Sequence, residues 1–147
     1  MNCINGKTLY CRKADENVVN AFISSKKADR KLSVRDHVCV RLDTSAFYQL
    51  WNTELVRRLT DGRIWIFITD NSDMDQAYYN GYGRRKDVAM TQTTRARLDC
   101  FLSYYGFNRL EVHSSKKLFG VWHNGKELEN NSWYELNMET KELVKVN

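Results

Sequence analysis

The chain has 147 residues and a formal net charge of +5, with 42% hydrophobic and 12% aromatic residues and no proline. This composition excludes intrinsic disorder, because it supplies enough apolar surface to offset the entropy lost on folding, and no run reaches the roughly 18 apolar residues of a membrane helix. The length is typical of one domain, so we interpret residues 1–147 as a single domain.

The first 50 residues predict one helix and one strand. Apolar side chains gather on one side of a helix over residues 15–24. Residues 24–35 contain many basic side chains and few apolar ones, which is typical of an exposed linker. Residues 34–42 show the period of two of a half-buried strand. The apolar members of this strand are Val34, Val38, Val40 and Leu42.

Residues 51–147 begin with a predicted hairpin and a long loop. The pattern over residues 47–55 fits either a helix or a strand. Asp61-Gly62 is a strong turn signal and an apolar run follows it, so residues 55–69 are predicted to form a hairpin. Residues 70–86 are polar and show no period, which indicates a long loop.

A central helix and a meander complete the predicted fold. The helix is predicted over residues 94–105, with Thr93 or Thr94 as its N-cap and Gly106 as its left-handed end. Its predicted inward residues are Leu98, Phe101, Leu102 and Tyr105. Strand-like runs follow at residues 110–113, 118–123, 126–128, 133–136 and 143–146, with turn signals between them. The predicted fold class is α+β, an antiparallel sheet with two helices in a single domain.

Short motifs between Asn52 and Leu136 resemble a group of small phage and mobile-element proteins. The motifs are Asn80-Gly81-Tyr82, then Thr91-x-Thr93-Thr94-x-x-Arg97-Leu98, and then Trp122-x-Asn124-Gly125-Lys126. In that group a Gly-aromatic pair, a T-x-T-T helix start with Arg-Leu, and a Trp-containing N-G-K hairpin occur in this order. The group has no assigned chemistry, so the resemblance implies a phage-like accessory protein inside a bacterial host and no particular active site.

Basic residues cluster near the start of the predicted central helix, where the helix dipole favours acidic residues. Together with free backbone N–H groups, they predict an anion site suited to phosphate. Tyr79 and Tyr82 in the preceding loop offer faces for base stacking. The candidate anion-binding residues are Arg84, Arg85, Lys86, Arg95 and Arg97, and a second basic cluster consists of Lys26, Lys27, Arg30 and Lys31. The alternatives are contact with an acidic protein surface and a merely solvated basic surface.

Signals for catalysis or metal binding are weak. Three acids, Asp70, Asp73 and Asp75, lack the spacing of an EF-hand loop. The histidines, His37, His113 and His123, have no metal-ligand spacing with cysteine and suit packed or surface positions in strands. We therefore expect no enzyme activity, no metal and no cofactor, and we keep a small metal-dependent hydrolase built on the three acids as an alternative.

The cysteines suggest a reducing environment. Cys3, Cys11, Cys39 and Cys100 are scattered without a C-x-x-C motif, and residues 1–20 lack the apolar core of a signal peptide. We expect four free thiols and a cytoplasmic location.

The tryptophans are predicted to lie in the core or at its edge, because large aromatic side chains dominate the packing of small domains. They are Trp51, Trp65, Trp122 and Trp133. Exposure of Trp122 or Trp133 would favour a protein partner, since tryptophan is enriched at binding hot spots.

These patterns together predict a non-catalytic accessory protein for host takeover or counter-defence. Its expected target is host nucleic acid or a nucleoprotein complex, bound through a basic surface. The alternative is an inhibitor that binds a host enzyme or defence complex without touching nucleic acid.

Overall fold

The fold comes from a computed structural model, which describes residues 2–4, 7–9, 11–24, 26–70 and 88–146. Its elements in chain order are β1 (Asn2–Ile4), β2 (Lys7–Leu9), α1 (Lys13–Ile23), β3 (Ala28–Lys31), β4 (Asp36–Val40), β5 (Ala46–Leu50), β6 (Thr53–Arg58), β7 (Ile64–Ile68), α2 (Gln92–Tyr104), β8 (Glu111–Ser114), β9 (Phe119–His123), β10 (Lys126–Leu128), β11 (Ser132–Asn137) and β12 (Glu142–Lys145). No helix in these ranges is long and apolar enough to cross a membrane.

A seven-stranded antiparallel sheet forms the body of the protein, in the order β12-β11-β7-β6-β5-β4-β3. Strands β8, β9 and β10 form a separate three-stranded sheet, and β1 pairs with β2. The predicted α+β class with an antiparallel sheet and two helices is confirmed. The predicted meander is wrong in one respect, because β11 leaves β10 and pairs with β7 instead.

Both helices lie close to their predicted positions. Thr91, and not Thr93 or Thr94, is the N-cap of α2, because its Oγ1 accepts a hydrogen bond from the Thr94 amide at 3.4 Å. Gly106 follows the helix with φ +83°, as predicted for a left-handed end.

The segment between α1 and β5 differs from its prediction. The expected basic linker over residues 24–35 contains β3, which pairs with β4 at the edge of the sheet. Val34 and Leu42 lie in turns outside β4 and are 74% and 82% exposed. The ambiguous pattern over residues 47–55 belongs to β5 and β6, and the β6–β7 hairpin is confirmed.

The two faces of the sheet have different environments. Ile64, Ile66 and Ile68 point from β7 into the core, while the alternate residues Trp65 and Phe67 lie on the other face and stay half-buried. Both helices pack on the core face, where the Phe101 ring of α2 lies 5.0 Å from the Phe22 ring of α1 and 5.9 Å from the Tyr48 ring of β5. The second face, here called the open face, is partly exposed to solvent.

A disulfide overturns the prediction that all cysteines are free. Cys11, just before α1, is bonded to Cys100 in α2 across 89 residues of sequence. Cys39 on the open face is a free thiol. Disulfides are rare in reducing compartments, so this bond weighs against the expected cytoplasmic location.

Replacement of Phe101 by alanine should lower the free energy of unfolding by about 3–5 kcal/mol, because it removes a fully buried ring between two others. Urea denaturation followed by circular dichroism measures this loss. Phe119→Ala is the matched control, since Phe119 is 50% exposed and its loss should cost under about 1 kcal/mol. If Phe101→Ala costs as little as the control is expected to cost, Phe101 lies outside the core.

Candidate functional site

Arg97 does not belong to an anion-binding surface, which corrects its prediction. Its side chain is 0% exposed and points into the core. The guanidinium donates two hydrogen bonds to Asp36 of β4, at 3.1 and 3.0 Å, and a third to Asp15 of α1. Tyr48 of β5 donates its hydroxyl to Asp36 as well. Arg97 therefore joins both helices to the sheet through a buried ion cluster.

The charges of this cluster stabilise each other. Burial by itself raises the pKa of Asp36, but hydrogen bonds from Arg97 and Tyr48 and the charge of Arg97 bring that pKa below its usual value. Burial lowers the pKa of Arg97, yet the two carboxylates more than offset this effect and raise it. Asp36 and Arg97 are thus both charged at neutral pH. Their partners leave no position for an outside ligand.

The other residues of the predicted helix-start site are not assembled as expected. Arg95 is partly exposed, but it bonds the Leu110 carbonyl at 3.2 Å and pairs with Asp99 at 3.5 Å. The Thr91 and Thr94 hydroxyls bond each other at 2.9 Å. The remaining candidates of this site lie outside the described residues: Tyr79, Tyr82, Arg84, Arg85 and Lys86.

The second basic cluster lies at an edge of the large sheet. Lys26 and Lys27 precede β3, and Arg30 and Lys31 belong to it; all four side chains are exposed. Lys31 stands opposite His37 and shares the open face with it. Lys31 therefore borders the open face at its β3 edge, whereas Arg30 is paired with the core residue Val38 and points to the other side of the sheet.

The described residues contain no group of three or more His, Cys, Asp or Glu side chains that could hold a metal ion. Asp70 is described, but Asp73 and Asp75 lie outside the described residues. His123 is buried, and its Nε2 lies 3.0 Å from the Asn108 carbonyl oxygen. His37 contacts Asp29, and the His113 ring lies 5.5 Å from the Trp122 ring. These histidines have packed or surface positions, as predicted.

The open face carries a row of side chains that crosses all seven strands. Directly paired residues of neighbouring strands point to the same face. The row runs through Asp29, Cys39, Phe47, Arg57, Trp65, Glu135 and Val144. Phe67 and Trp133 are directly paired on the same face, next to Trp65. Aromatic and arginine side chains therefore stand at the centre of the face.

Three of these rings form one cluster, here called the aromatic cluster: Trp65, Phe67 and Trp133. The Trp133 ring lies 6.3 Å from Trp65 and 5.0 Å from Phe67. The Arg57 guanidinium lies over it, 4.6 Å from the Trp133 ring and 5.8 Å from the Trp65 ring. Trp65 and Trp133 were predicted to lie in the core or at its edge; both are half-buried, but they point away from the core and onto the open face. Trp51 is confirmed at the core edge.

A groove of about 510 Å³ adjoins the aromatic cluster, where the β4–β5 turn and the β6–β7 hairpin meet. We call it the arginine groove, after the residues Arg41, Arg57, Arg58 and Arg63 that line it with Phe47, Glu54 and Asp61. Arg57 bonds Glu54 at 2.6 Å, and Arg63 bonds Asp61 at 2.8 Å. Arg57 belongs to both features, so the groove and the cluster are continuous.

Two arginines of the groove have uncharged partners. Arg58 donates to the carbonyl oxygens of Thr44 and Phe22, at 2.6 and 3.0 Å. Arg41 donates to the Ser45 hydroxyl at 3.5 Å and lies 5.4 Å from the Phe47 ring centre. The Arg58 guanidinium is therefore held by neutral partners, whereas Arg41 lies near the Asp43 carboxylate, whose pKa is lowered by hydrogen bonds from Ser45 and by the charge of Arg41.

Another arginine-lined groove, of about 330 Å³, lies between α1 and α2 and contains Arg12, Arg95 and Arg109. Here Arg12 pairs with Asp15 at 3.2 Å and Arg95 pairs with Asp99. Among the described residues that line this groove, none is aromatic. The open face is therefore the better candidate for a binding site.

The chain matches no protein-family model, no curated protein and no solved structure at a significant level. The functional assignment therefore depends on the residues described above.

Proposed function

We propose that this protein is a non-catalytic binding module for single-stranded nucleic acid, and that the open face of its large sheet is the binding surface. The observation that carries this proposal is the aromatic cluster with Arg57 stacked on it. Partly exposed rings on an open sheet stack on unpaired bases, and guanidinium planes do the same. The role expected from the phage-like resemblance, an accessory protein acting in a bacterial host, is part of this proposal.

Charge supports the same assignment. Four arginines line the groove beside the rings; Glu54 pairs with Arg57, and Asp61 and Glu135 pair with Arg63. Lys31 of the second basic cluster borders the opposite side of the face, whereas Arg30 pairs with the core residue Val38 and points to the other side of the sheet. A strand of nucleic acid that crosses the face meets basic groups at both ends and aromatic rings between them. Such an arrangement provides phosphate contacts and stacking surfaces together.

Fluorescence anisotropy with a labelled single-stranded oligonucleotide tests the proposal. We expect binding at 50 mM salt that weakens as salt rises, with a log-log slope of about 0.7 per phosphate contacted. Trp133→Ala should weaken binding about 5- to 150-fold, since a stacked base contributes about 1–3 kcal/mol.

Trp122→Ala is the matched control, because Trp122 is another half-buried tryptophan but belongs to β9 in the small sheet. It should leave affinity within about twofold, and circular dichroism shows that both variants fold. Absence of binding by the wild-type protein, or an equal loss in both variants, would reject the proposal.

A protein partner is the second candidate function. Glu54 and Glu135 lie on the open face, and Glu135 accepts hydrogen bonds from Trp65 and Arg63. Carboxylates repel phosphates, whereas paired charges around tryptophan and arginine are common at protein hot spots. Affinity purification from bacterial lysate, with and without nuclease, separates the two. A host protein retained after nuclease treatment and lost in Trp133→Ala favours the inhibitor.

A further inference from the structure

We propose that strand β12 forms a homodimer, in which two copies of the chain pair antiparallel through this edge strand and join their large sheets. The dimer goes beyond the proposed function and does not depend on it, because it uses the edge of the sheet and not the aromatic cluster. β12 ends the seven-strand order, and β11 is its only paired neighbour among the described residues. The open side of such a strand is a template for another strand.

The backbone of β12 has hydrogen-bonding groups that point away from the sheet. Val146 donates its amide to the Trp133 carbonyl of β11 at 2.9 Å. Backbone groups alternate in direction along an antiparallel strand, so those of Leu143 and Lys145 point outward. A second strand that pairs here satisfies them.

Contacts with the small sheet hold β12 at both of its ends. Asn124, in the turn between β9 and β10, donates to the Glu142 carboxylate at 3.0 Å. Lys145 donates to Glu129, which follows β10, at 2.6 Å. The edge is therefore ordered before a partner strand arrives, which lowers the entropy cost of pairing.

The two edges of the large sheet differ in charge. At the opposite edge, β3 has three charged residues in succession, Asp29, Arg30 and Lys31. Charged side chains keep natural edge strands from pairing. β12 instead has Leu143 and Val144 between single charges, and Val144 is half-exposed on the open face. β12 is therefore the edge that is suited to pairing.

The charges of β12 select the register of the dimer. A two-fold axis perpendicular to the sheet keeps both open faces on one side and pairs one residue with its own copy. Glu142 or Lys145 at the axis would meet the same charge, and Leu143 at the axis would set Lys141 opposite Lys145 of the second copy. Like charges directly opposite each other destabilise a sheet. Val144 at the axis avoids all three conflicts.

This register also uses the outward groups of the strand. Leu143 and Lys145 then stand opposite each other across the interface and exchange backbone hydrogen bonds, while Val144 packs against its own copy. Self-pairing closes the assembly at two copies. Pairing of β12 with β3 of another copy would instead continue into a filament.

Sedimentation equilibrium of the full chain tests the dimer. Over concentrations from about 1 to 200 μM, we expect the mass to rise from that of one chain to that of two, because a short interface gives a weak complex. Val144→Lys should weaken association about tenfold or more, since it sets two like charges opposite each other at the axis. Val34→Lys is the matched control, because it makes the same change at an exposed valine in the turn between β3 and β4.

Lys145→Pro is a second test variant. It removes an outward amide that β11 does not use, and proline is tolerated on an edge strand in this orientation. We expect it to remain folded by circular dichroism and to associate as weakly as Val144→Lys. A chain that stays monomeric would leave the edge to an extended segment of another protein and would overturn the dimer. Unchanged association in Val144→Lys, or assemblies larger than two copies, would overturn it as well.

Discussion

Replacement of Arg97 by methionine should lower the free energy of unfolding by about 3–5 kcal/mol. The side chain is fully buried, and its loss removes the only fully buried cation from Asp15 and Asp36 among the described residues, which leaves them with the partly exposed Arg12 and Arg35. Breaking a buried ion pair by removal of one partner has costs of this size, because the remaining charge has lost its hydration. Chemical denaturation at pH 7 measures the effect.

The pH dependence of this loss identifies its cause. The pKa of Asp36 is lowered in the folded protein, so its contribution to stability is full above its unfolded pKa of about 4 and is lost as pH falls through the folded pKa. In Arg97→Met, the Asp36 carboxyl has lost the charge of Arg97 and favours its protonated form. Protonation of Asp36 at low pH therefore reduces the destabilisation of the variant. The stability difference between wild type and variant should therefore shrink below about pH 4.

Arg95→Met is the matched control for this prediction. It removes an arginine from the same helix, but one that is 43% exposed and pairs with Asp99 near the surface. Its cost should stay within about 1 kcal/mol. If Arg97→Met costs no more than about 1 kcal/mol, the cluster around Arg97 does not stabilise the fold. The same conclusion follows if the stability difference between wild type and Arg97→Met does not change with pH.

Reduction of the Cys11–Cys100 disulfide should lower the free energy of unfolding by about 2–4 kcal/mol. The bond closes a long loop, with a sequence separation of 89 residues, and so it restricts the unfolded chain strongly. Cys11→Ser in the presence of oxidant should reproduce the effect of a dithiol reductant on wild-type protein.

Cys39→Ser is the control, because Cys39 is a free thiol on the open face and its replacement should leave the effect of the reductant intact. Mass spectrometry of unreduced, alkylated protein should find the Cys11 and Cys100 peptides joined. Separate alkylation of both cysteines, in protein isolated without reductant, would instead support the prediction of free thiols.

Helix positions were predictable because the apolar spacing of a helix is a local property. Leu98, Phe101 and Leu102 repeat at three and four residues, and all are buried. The N-cap was misplaced because three threonines stand within four positions, and the sequence does not show which hydroxyl faces the first turn. Strand β3 was missed because an edge strand carries charged side chains and lacks the alternation of a half-buried one.

The open face was not predictable from the apolar run of β7. Each of residues 64–68 is apolar, so alternation does not reveal which side faces the helices. The aromatic residues of this run face away from the core and meet Trp133, which lies 68 positions after Trp65 in the sequence. Their clustering depends on the pairing of β7 with β11, a long-range contact that no local pattern specifies.

The role of Arg97 had a signal in the sequence. It precedes Leu98 and stands four residues before Phe101, on the buried side of the helix. Asp15 likewise stands three and four residues before Val18 and Val19 on the buried side of α1. One charge of each sign on two apolar stripes indicates a buried pair, but the partnership itself is visible only in the tertiary structure.

Photocrosslinking with a single-stranded oligonucleotide that contains 5-iodouracil tests the central claim most directly. The halogenated base reacts with aromatic side chains that stack on it, and mass spectrometry of the digested complex identifies the attached peptide. We predict crosslinks in the peptides that contain Trp65, Phe67 or Trp133, and their loss in Trp133→Ala. Crosslinks confined to other segments of the chain, or none under conditions where the oligonucleotide binds, would contradict the assignment of the open face as the binding surface.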